Sequence, residues 1–336
     1  MSGRLSVVIP LFNKMGYVRR ALESVSAQSF ADFDVIVVDD GSTDGSADVV
    51  RAHSDPRVRL VRQDNRGEGA ARNRGIAESS GELIAMLDAD DAWDAQFLEA
   101  IVGLWRRFPE AALLAAGYRS RYAGGFTLET RIPGCDEGCL VRDYFAKAAR
   151  APVVWSSAQA IPRRVFHRVG VFGTDPIGID SDMWGRIALR YPLACSSRTL
   201  ATYHNDIAGY RMLAHYQRRS VFPPFVRSAR EALARGEVDE KLVTSLRRYL
   251  NVLLLQYAHR VVATRDRREL LRTLREEFYR EHGWERPLAV LRIASTVLPL
   301  WLLDAVLRAR LSRWAWRAGL RGDRELVRRA TDRPGS

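Results

Sequence analysis

An α/β fold, with a mostly parallel sheet flanked by helices and a helical C-terminal extension, follows from three features of the 336-residue chain. Short apolar runs and amphipathic stretches alternate through the first hundred residues, the rhythm of strands joined by crossover helices. Two of the apolar runs stop at clusters of aspartates. From about Arg211 onward, apolar residues recur at helical spacing.

The elements can be taken in order. Leu5 to Pro10 is a buried strand, an apolar run closed by a proline that cannot donate to a ladder. Tyr17 to Gln28 is a helix with Val18, Ala21, Leu22 and Val25 on one face. Phe33 to Val38 is the second strand, halted by the turn-forming Asp39-Asp40-Gly41-Ser42. Thr43 to Ala52 reads as a helix, Val58 to Val61 as the third strand, Gly69 to Glu78 as a helix, and Leu83 to Leu87 as the fourth strand. The stretch from Ala111 to His204 is less regular and richer in glycine, proline and aromatic residues, and reads as the second half of the same domain. Val243 to Val262 and Arg265 to Tyr279 place apolar residues at helical spacing between arginines.

An apolar content of 47% is ordinary for a chain with a packed core. The net charge of +12 is uneven: residues 1–200 hold 25 basic and 25 acidic side chains, so the whole excess lies in 201–336. A neutral front and a basic back suggest two roles. The basic residues lack an interleaved aromatic platform, which argues against nucleic acid as a partner. Met1 to Arg4 leads straight into Leu5 to Pro10, too short an apolar stretch for a secretion signal. Cys135, Cys139 and Cys195 are too few for a zinc site; although the first two can approach each other, free thiols are expected.

Asp39 and Asp40 follow the second strand, and Asp88, Asp90 and Asp91 the fourth. In a parallel sheet both clusters open at one edge, where ligands bind outside the strands' carboxyl ends. Carboxylates gathered there repel one another and call for a counter-charge, for which Mg²⁺ or Mn²⁺ suits oxygen ligands. Each cluster alone is equally well a turn; two at two strand ends favour function.

The residues around these clusters resemble family 2 glycosyltransferases, which have the GT-A fold. The resemblance rests on Val7-Val8-Ile9-Pro10-Leu11-Phe12-Asn13-Lys14, Val37-Val38-Asp39-Asp40-Gly41-Ser42-Thr43-Asp44-Gly45 and Leu87-Asp88-Ala89-Asp90-Asp91-Ala92-Trp93. It extends through Asn65-Arg66-Gly67, Ala71-Arg72-Asn73-Arg74-Gly75 and Ser80-Gly81-Glu82 to Ile179-Asp180-Ser181-Asp182-Met183-Trp184-Gly185-Arg186, all in the expected order over residues 4–204. It implies an inverting transfer of a sugar from a nucleotide diphosphate, with UDP the commonest carrier, to a glycan or lipid-linked acceptor hydroxyl. Residues 1–110 would be the nucleotide-sugar half, 111–210 the acceptor half and 211–336 a basic helical region.

By the same resemblance Pro10 lies beside the base, with Asp40 the base contact and Asp39 close behind. Asp88 and Asp90 form the Asp-x-Asp motif that touches the ribose and holds Mn²⁺ or Mg²⁺, with Asp91 a competing ligand. Asp180 falls on the catalytic base, although Ile179 stands where relatives carry glutamate; an apolar neighbour raises a carboxyl's pKa by desolvation. Asp182 is the alternative base, against a helical pairing with Arg186 four residues on. Arg72 is the protein cation expected near the phosphates, against a solvated helix residue. His204 lies where relatives carry a metal- or diphosphate-reaching histidine, and Trp155, ahead of Ser156-Ser157, lies on the acceptor side, against core packing for each.

Leu288 to Leu307 is strongly apolar but broken by Arg292, Pro299 and Asp304, so no membrane span is expected. Beyond Pro299, Leu300, Leu303, Leu307, Leu311 and Trp314 share one helical face, and Arg310, Arg313, Arg317, Arg321 and Arg324 another. This pattern across 300–328 suits an anionic membrane surface at the cytoplasmic side, or a helix packed on the catalytic domain with its arginines solvated. Two other readings compete. An inactive GT-A scaffold recruiting partners at the membrane would not need Asp40, Asp88, Asp90 and Asp180. A nucleotidyltransferase would need a glycine-rich loop where Leu11-Phe12-Asn13-Lys14 stands.

Overall fold

The computed structural model describes residues 4–122, 124–205, 221–264 and 266–279, together with positions 302, 303 and 305. The elements run β1 (Leu5–Leu11), α1 (Val18–Ser26), β2 (Phe33–Asp40), α2 (Ser46–Arg51), β3 (Val58–Gln63), α3 (Glu68–Glu78), β4 (Leu83–Met86), β5 (Ala92–Trp93) and α4 (Phe97–Arg107). They continue with β6 (Leu113–Arg121), β7 (Thr127–Thr130), β8 (Cys139–Val141), α5 (Tyr144–Ala148), β9 (Gln159–Pro162), α6 (Arg163–Val169), α7 (Ile179–Ala188) and β10 (Leu193–His204). The last are α8 (Pro224–Ala234), α9 (Glu240–Ala263), α10 (Arg267–Arg272) and a π turn at Thr273–Glu277.

The alternating half forms where its periodicity puts it. Val18, Ala21, Leu22 and Val25 are the buried face of α1, as expected. The second helix starts at Ser46 rather than Thr43 for a local reason. The Asp44 carboxylate accepts from the Ser46 amide (2.9 Å) and from the Met15 amide (2.9 Å), so residues 43–45 stay a turn.

The strand order is β3-β2-β1-β4-β9-β6-β10-β5, with β7 paired to β6 and β8 to β10. β1 runs parallel to β2 and β4, and β2 to β3, so the two acidic strand ends do open at one edge. Beyond β4 the sheet is mixed. β9 enters antiparallel between β4 and β6, pairing Met86 with Gln159 and Leu83 with Pro162. Its four residues are all buried, so they carry no alternation from which a direction could be read. The antiparallel course starts β9 at the carboxyl end of β4, and this brings Ser156 and Ser157 to the acidic turn.

Both faces of the sheet are covered. Leu5, Val7, Ile9, Val35 and Val37 pack with α1 and with Phe97, Leu98 and Ile101 of α4, while Ile36 and Val38 face Ala71 of α3. Each such fully buried aliphatic side chain contributes roughly 1.5–3 kcal/mol.

The chain forms two compact units. One comprises residues 1–144, 153–210 and 223–242; it holds the sheet, and in it α8 packs on α7, with the Phe225 ring against Gly185. The other comprises 145–152, 211–222 and 243–336. Within it Leu246, Leu250, Leu254, Tyr257 and Val261 of α9 are buried, and the Asn251 amide bonds both the N–H and the C=O of Tyr279 (2.9 Å each). Among the described residues no helix is long and apolar enough to cross a membrane. The basic stretch 300–328 lies outside the described residues, apart from positions 302, 303 and 305.

The thiols depart from expectation: Cys135 and Cys139 form a disulfide, and Cys195 is buried outside it. A tight turn, with the Gly138 amide donating to the Cys135 carbonyl (3.0 Å), folds the two side chains together. Spacing alone did not reveal that turn.

Candidate active site

At the carboxyl edge of β2 and β4, each acidic residue has a distinct job. Asp40 is buried, and its carboxylate accepts from Gln63 Nε2 (2.7 Å) and from the amides of Arg66 (2.9 Å) and Gly67 (2.8 Å). It therefore fixes the loop that launches α3. Asp39, also buried, accepts from the Ser42 amide (2.9 Å) and from Arg62 Nε (2.8 Å). Pro10, half-buried in β1, sits in register with Val38, just before this pair.

The aspartates after β4 divide in the same way. Asp91 is fully buried: Ser157 Oγ (2.5 Å) and Trp155 Nε1 (3.2 Å) donate to one carboxylate oxygen and the His204 amide (3.2 Å) to the other. Burial, with the charges of Asp88 and Asp90 adding to it, raises its pKa well above the usual carboxyl range against the pull of those hydrogen bonds. Asp91 thus ties the acidic turn to β9 and β10. Asp88 accepts from Ser156 Oγ (2.9 Å) and from the Arg72 guanidinium (2.9 Å), and Asp90 pairs with Lys14 Nζ.

Arg72 joins the two halves of the site. It lies on α3 with no solvent exposure, over the Phe172 ring at 5.3 Å, and donates to Glu68, Asp88 and Asp180. Burial works against its charge, yet the three carboxylates outweigh it and hold its pKa well above the ordinary value. It is neither a solvated helix residue nor idle at the site. Asp180 sits in the first turn of α7. Burial raises its pKa, Arg72 opposes this, and Asp88 adds to it. For Glu68, Arg72 acts to lower the pKa, but burial beside the cluster and the charges of Asp88, Asp180 and Asp90 prevail and push it up to about 7. More than half of the Glu68 side chain is exposed, so water screens part of that effect.

A close approach makes this meeting possible. A Cβ on Gly69 would fall 2.0 Å from the Gly173 carbonyl oxygen, so only glycine lets the segment leading into α7 rest on α3. The same closeness lets Asn73 bond both the N–H and the C=O of Phe172 (2.9 Å each).

Asp182 stands apart. Its carboxylate accepts from Arg186 Nε (2.8 Å) and from Ser228 Oγ of α8 (2.7 Å), which is the helical pairing expected for it. Trp155 packs in an aromatic group, 5.5 Å from Tyr118 and 4.1 Å from Tyr203 between ring centroids. His204 is buried at the end of β10, one backbone hydrogen bond from Asp91.

Sequence reasoning missed Lys14, Glu68, Ser156 and Ser157 as members of this cluster. Lys14 carried a signal, as one of three lysines among 52 basic residues. Glu68 lies four residues from Arg72, a pairing distance on a helix.

Among the described residues no three His, Cys, Asp or Glu side chains converge as a ready-made metal site. The donor chemistry nonetheless fits a hard divalent cation. All the acidic groups offer oxygen, and Glu68, Asp88, Asp90 and Asp180 outnumber Arg72 and Lys14. Asp88 and Asp90, from one turn, keep 21% and 22% of their side chains exposed, whereas Asp91 is sealed in. The pair Asp88 and Asp90 would therefore hold the ion.

Residues 6–170 match the family model described as Glycosyl transferase family 2. An uncharacterized glycosyltransferase of Nostoc sp. is 40% identical over 106 residues, 31% of this chain and 33% of that protein. Glycosyltransferase GlyG of Streptococcus pneumoniae is 38% identical over 104 residues, 30% of this chain and 35% of that protein. The matched part thus spans about a third of these relatives. Among solved structures, the mannosyltransferase PcManGT of Pyrobaculum calidifontis, in complex with GDP-Man and Mn²⁺, superposes with a TM-score of 0.59 at 20% identity, covering 99% of this chain and 89% of that one. S. aureus TarS 1–349 with UDP-GlcNAc gives 0.55 at 13% identity, covering 91% and 92%. The fold is GT-A.

Proposed function

We propose that the chain, whose residues 6–170 match the family 2 glycosyltransferase model, acts as a member of that family and moves a sugar from a nucleotide-diphosphate sugar to an acceptor hydroxyl with inversion at the anomeric carbon. The observation that carries this reading is the Arg72 bridge, which holds Asp180 and Asp88 at one rim although 92 residues separate them (180 − 88). GT-A neighbours that bind GDP-Man with Mn²⁺ and UDP-GlcNAc support a nucleotide-sugar donor, and we take a UDP-sugar as the first candidate.

In this reading Pro10 borders the base and ribose side, and the buried Asp39 and Asp40 hold the loops that frame it. Asp180 takes the acceptor proton as general base, and its desolvated carboxyl has the raised proton affinity that the task needs. Asp182, held by Arg186 and Ser228, plays no part in the transfer. Asp88 and Asp90 would hold a divalent cation, which would supply charge neutralisation for the departing diphosphate. Arg72 keeps Asp180 and Asp88 apart in charge but together in space. Asp91, with Ser157, Trp155 and the His204 backbone, holds the acidic turn in place. The Trp155 and Tyr203 rings form the acceptor side. The division into a donor half (1–110), an acceptor half (111–210) and a basic region (211–336) belongs to the same proposal, as does contact of 300–328 with an anionic membrane at the cytoplasmic face.

The experiment is isothermal titration with UDP in the presence and absence of Mn²⁺, followed by a screen of nucleotide sugars for hydrolysis. Metal-dependent UDP binding is the expected result. Absence of any nucleotide binding would leave an inert GT-A scaffold as the reading.

A further inference from the structure

We propose that Lys14 is a built-in counter-cation: its ammonium holds the Asp90 carboxylate and must be displaced when a divalent cation binds there. This rests on the reading of Asp90 as a metal ligand and adds a competitor inside the protein itself.

The turn after β1 is built to aim this side chain. Asn13 adopts a left-handed conformation (φ 51°), which asparagine tolerates better than most residues and which its surroundings fix. Those surroundings are the turn before α2. The Asn13 amide donates to Ser42 Oγ (3.0 Å), the Thr43 amide to Asn13 Oδ1 (2.9 Å), the Lys14 amide to Ser46 Oγ (2.8 Å) and the Met15 amide to Asp44 (2.9 Å). The Lys14 backbone is therefore fixed to one strand end while its side chain crosses to the other. Its ammonium meets Asp90, with only 19% and 22% of the two side chains exposed.

The backbone of Asp90 is held separately, since Arg20 donates to its carbonyl oxygen. The carboxylate can thus exchange partners without the turn moving. Lysine also suits exchange better than arginine, because a compact ammonium on a flexible stem leaves a carboxylate more readily than a bidentate guanidinium fork. In a chain with three lysines among 52 basic residues, a lysine stands at this position. The exchange is ionic: one monocation leaves the oxygen that a dication takes.

The test is Mn²⁺ binding to the nucleotide-free protein, read by electron paramagnetic resonance of the free ion and by calorimetry. The parent is compared with Lys14→Met, Lys14→Arg and Asp90→Asn. The expected order of affinity is Lys14→Met above parent above Lys14→Arg, with the first step about two- to fivefold, the scale of a partly exposed ion pair. Lys14→Gln repeats the measurement should the methionine variant fail to fold. If Lys14→Met binds Mn²⁺ no more tightly than the parent while Asp90→Asn loses binding, the counter-cation role is wrong and the metal ligand stands. If Asp90→Asn binds as the parent does, the metal reading of Asp90 falls, and this inference with it.

Discussion

Arg72 is fully buried and touches three carboxylates, so its charge can be removed only at the cost of leaving Glu68, Asp88 and Asp180 facing one another. Of these three, Asp180 is the one that the proposed mechanism makes the base. Replacing Asp180→Asn keeps the shape and the hydrogen bond to Arg72 but removes the base. Donor binding by calorimetry should stay within a few-fold of the parent, while transfer falls by on the order of 10²–10⁴. Full activity in this variant would move the base elsewhere. A second residue-scale prediction lies away from the site, at Asp55. The Arg57 guanidinium hydrogen-bonded to Asp55 lowers its pKa well below the usual 3.8, with help from Ser26 and against the effect of burial. A carboxyl with a depressed folded-state pKa stabilises the fold above its unfolded pKa and loses that contribution as pH falls through the folded value. Asp55→Asn should therefore lower stability at pH 7 by on the order of 1 kcal/mol. In denaturant titrations the difference should shrink steadily below about pH 4. A difference that is constant from pH 7 to pH 2 would contradict the ion-pair account.

At the scale of elements, the site depends on how closely α3 lies to the segment before α7. Gly69→Ala places a methyl where the Gly173 carbonyl oxygen now sits 2.0 Å away, so the segment must withdraw. The expected destabilisation is about 1–3 kcal/mol by chemical denaturation. Transfer should fall more than stability alone explains, because Asp180 moves off Arg72. An alanine variant with parental stability and activity would show that the approach is looser than described. The same scale shows what periodicity could reveal. The buried face of α1 was legible because one side of that helix meets the sheet and the other meets water. The direction of β9 was not, because a strand buried on both faces has no alternation to read. The disulfide was missed for a related reason: its closure depends on a turn that lets Gly138 bond back to Cys135.

At the scale of the whole molecule, a GT-A sheet gathers its acidic strand ends at one rim, so nucleotide and cation should bind as a linked pair. UDP at about 100 times its dissociation constant, with Mn²⁺ present, should raise stability by about 2.7 kcal/mol over Mn²⁺ alone in a thermal-shift assay. Chelation with EDTA should remove most of that gain, and so should Asp90→Ala. An equal UDP shift with and without chelator would separate the nucleotide from the metal. By itself the sequence determined the alternating strand–helix half, the single edge at which Asp39, Asp40, Asp88 and Asp90 emerge, and the helical pairing of Asp182 with Arg186. These depend on interactions between near neighbours in the chain, or on the direction a parallel sheet imposes. Only the tertiary structure decided which carboxylates are tied up in structure. Asp91 is sealed by Ser157, Trp155 and the His204 backbone, Asp40 by the loop into α3, and Asp88 and Asp180 are joined through Arg72. An aspartate is one letter whether it accepts three hydrogen bonds or faces a ligand, and the difference lies in partners that sequence distance does not rank.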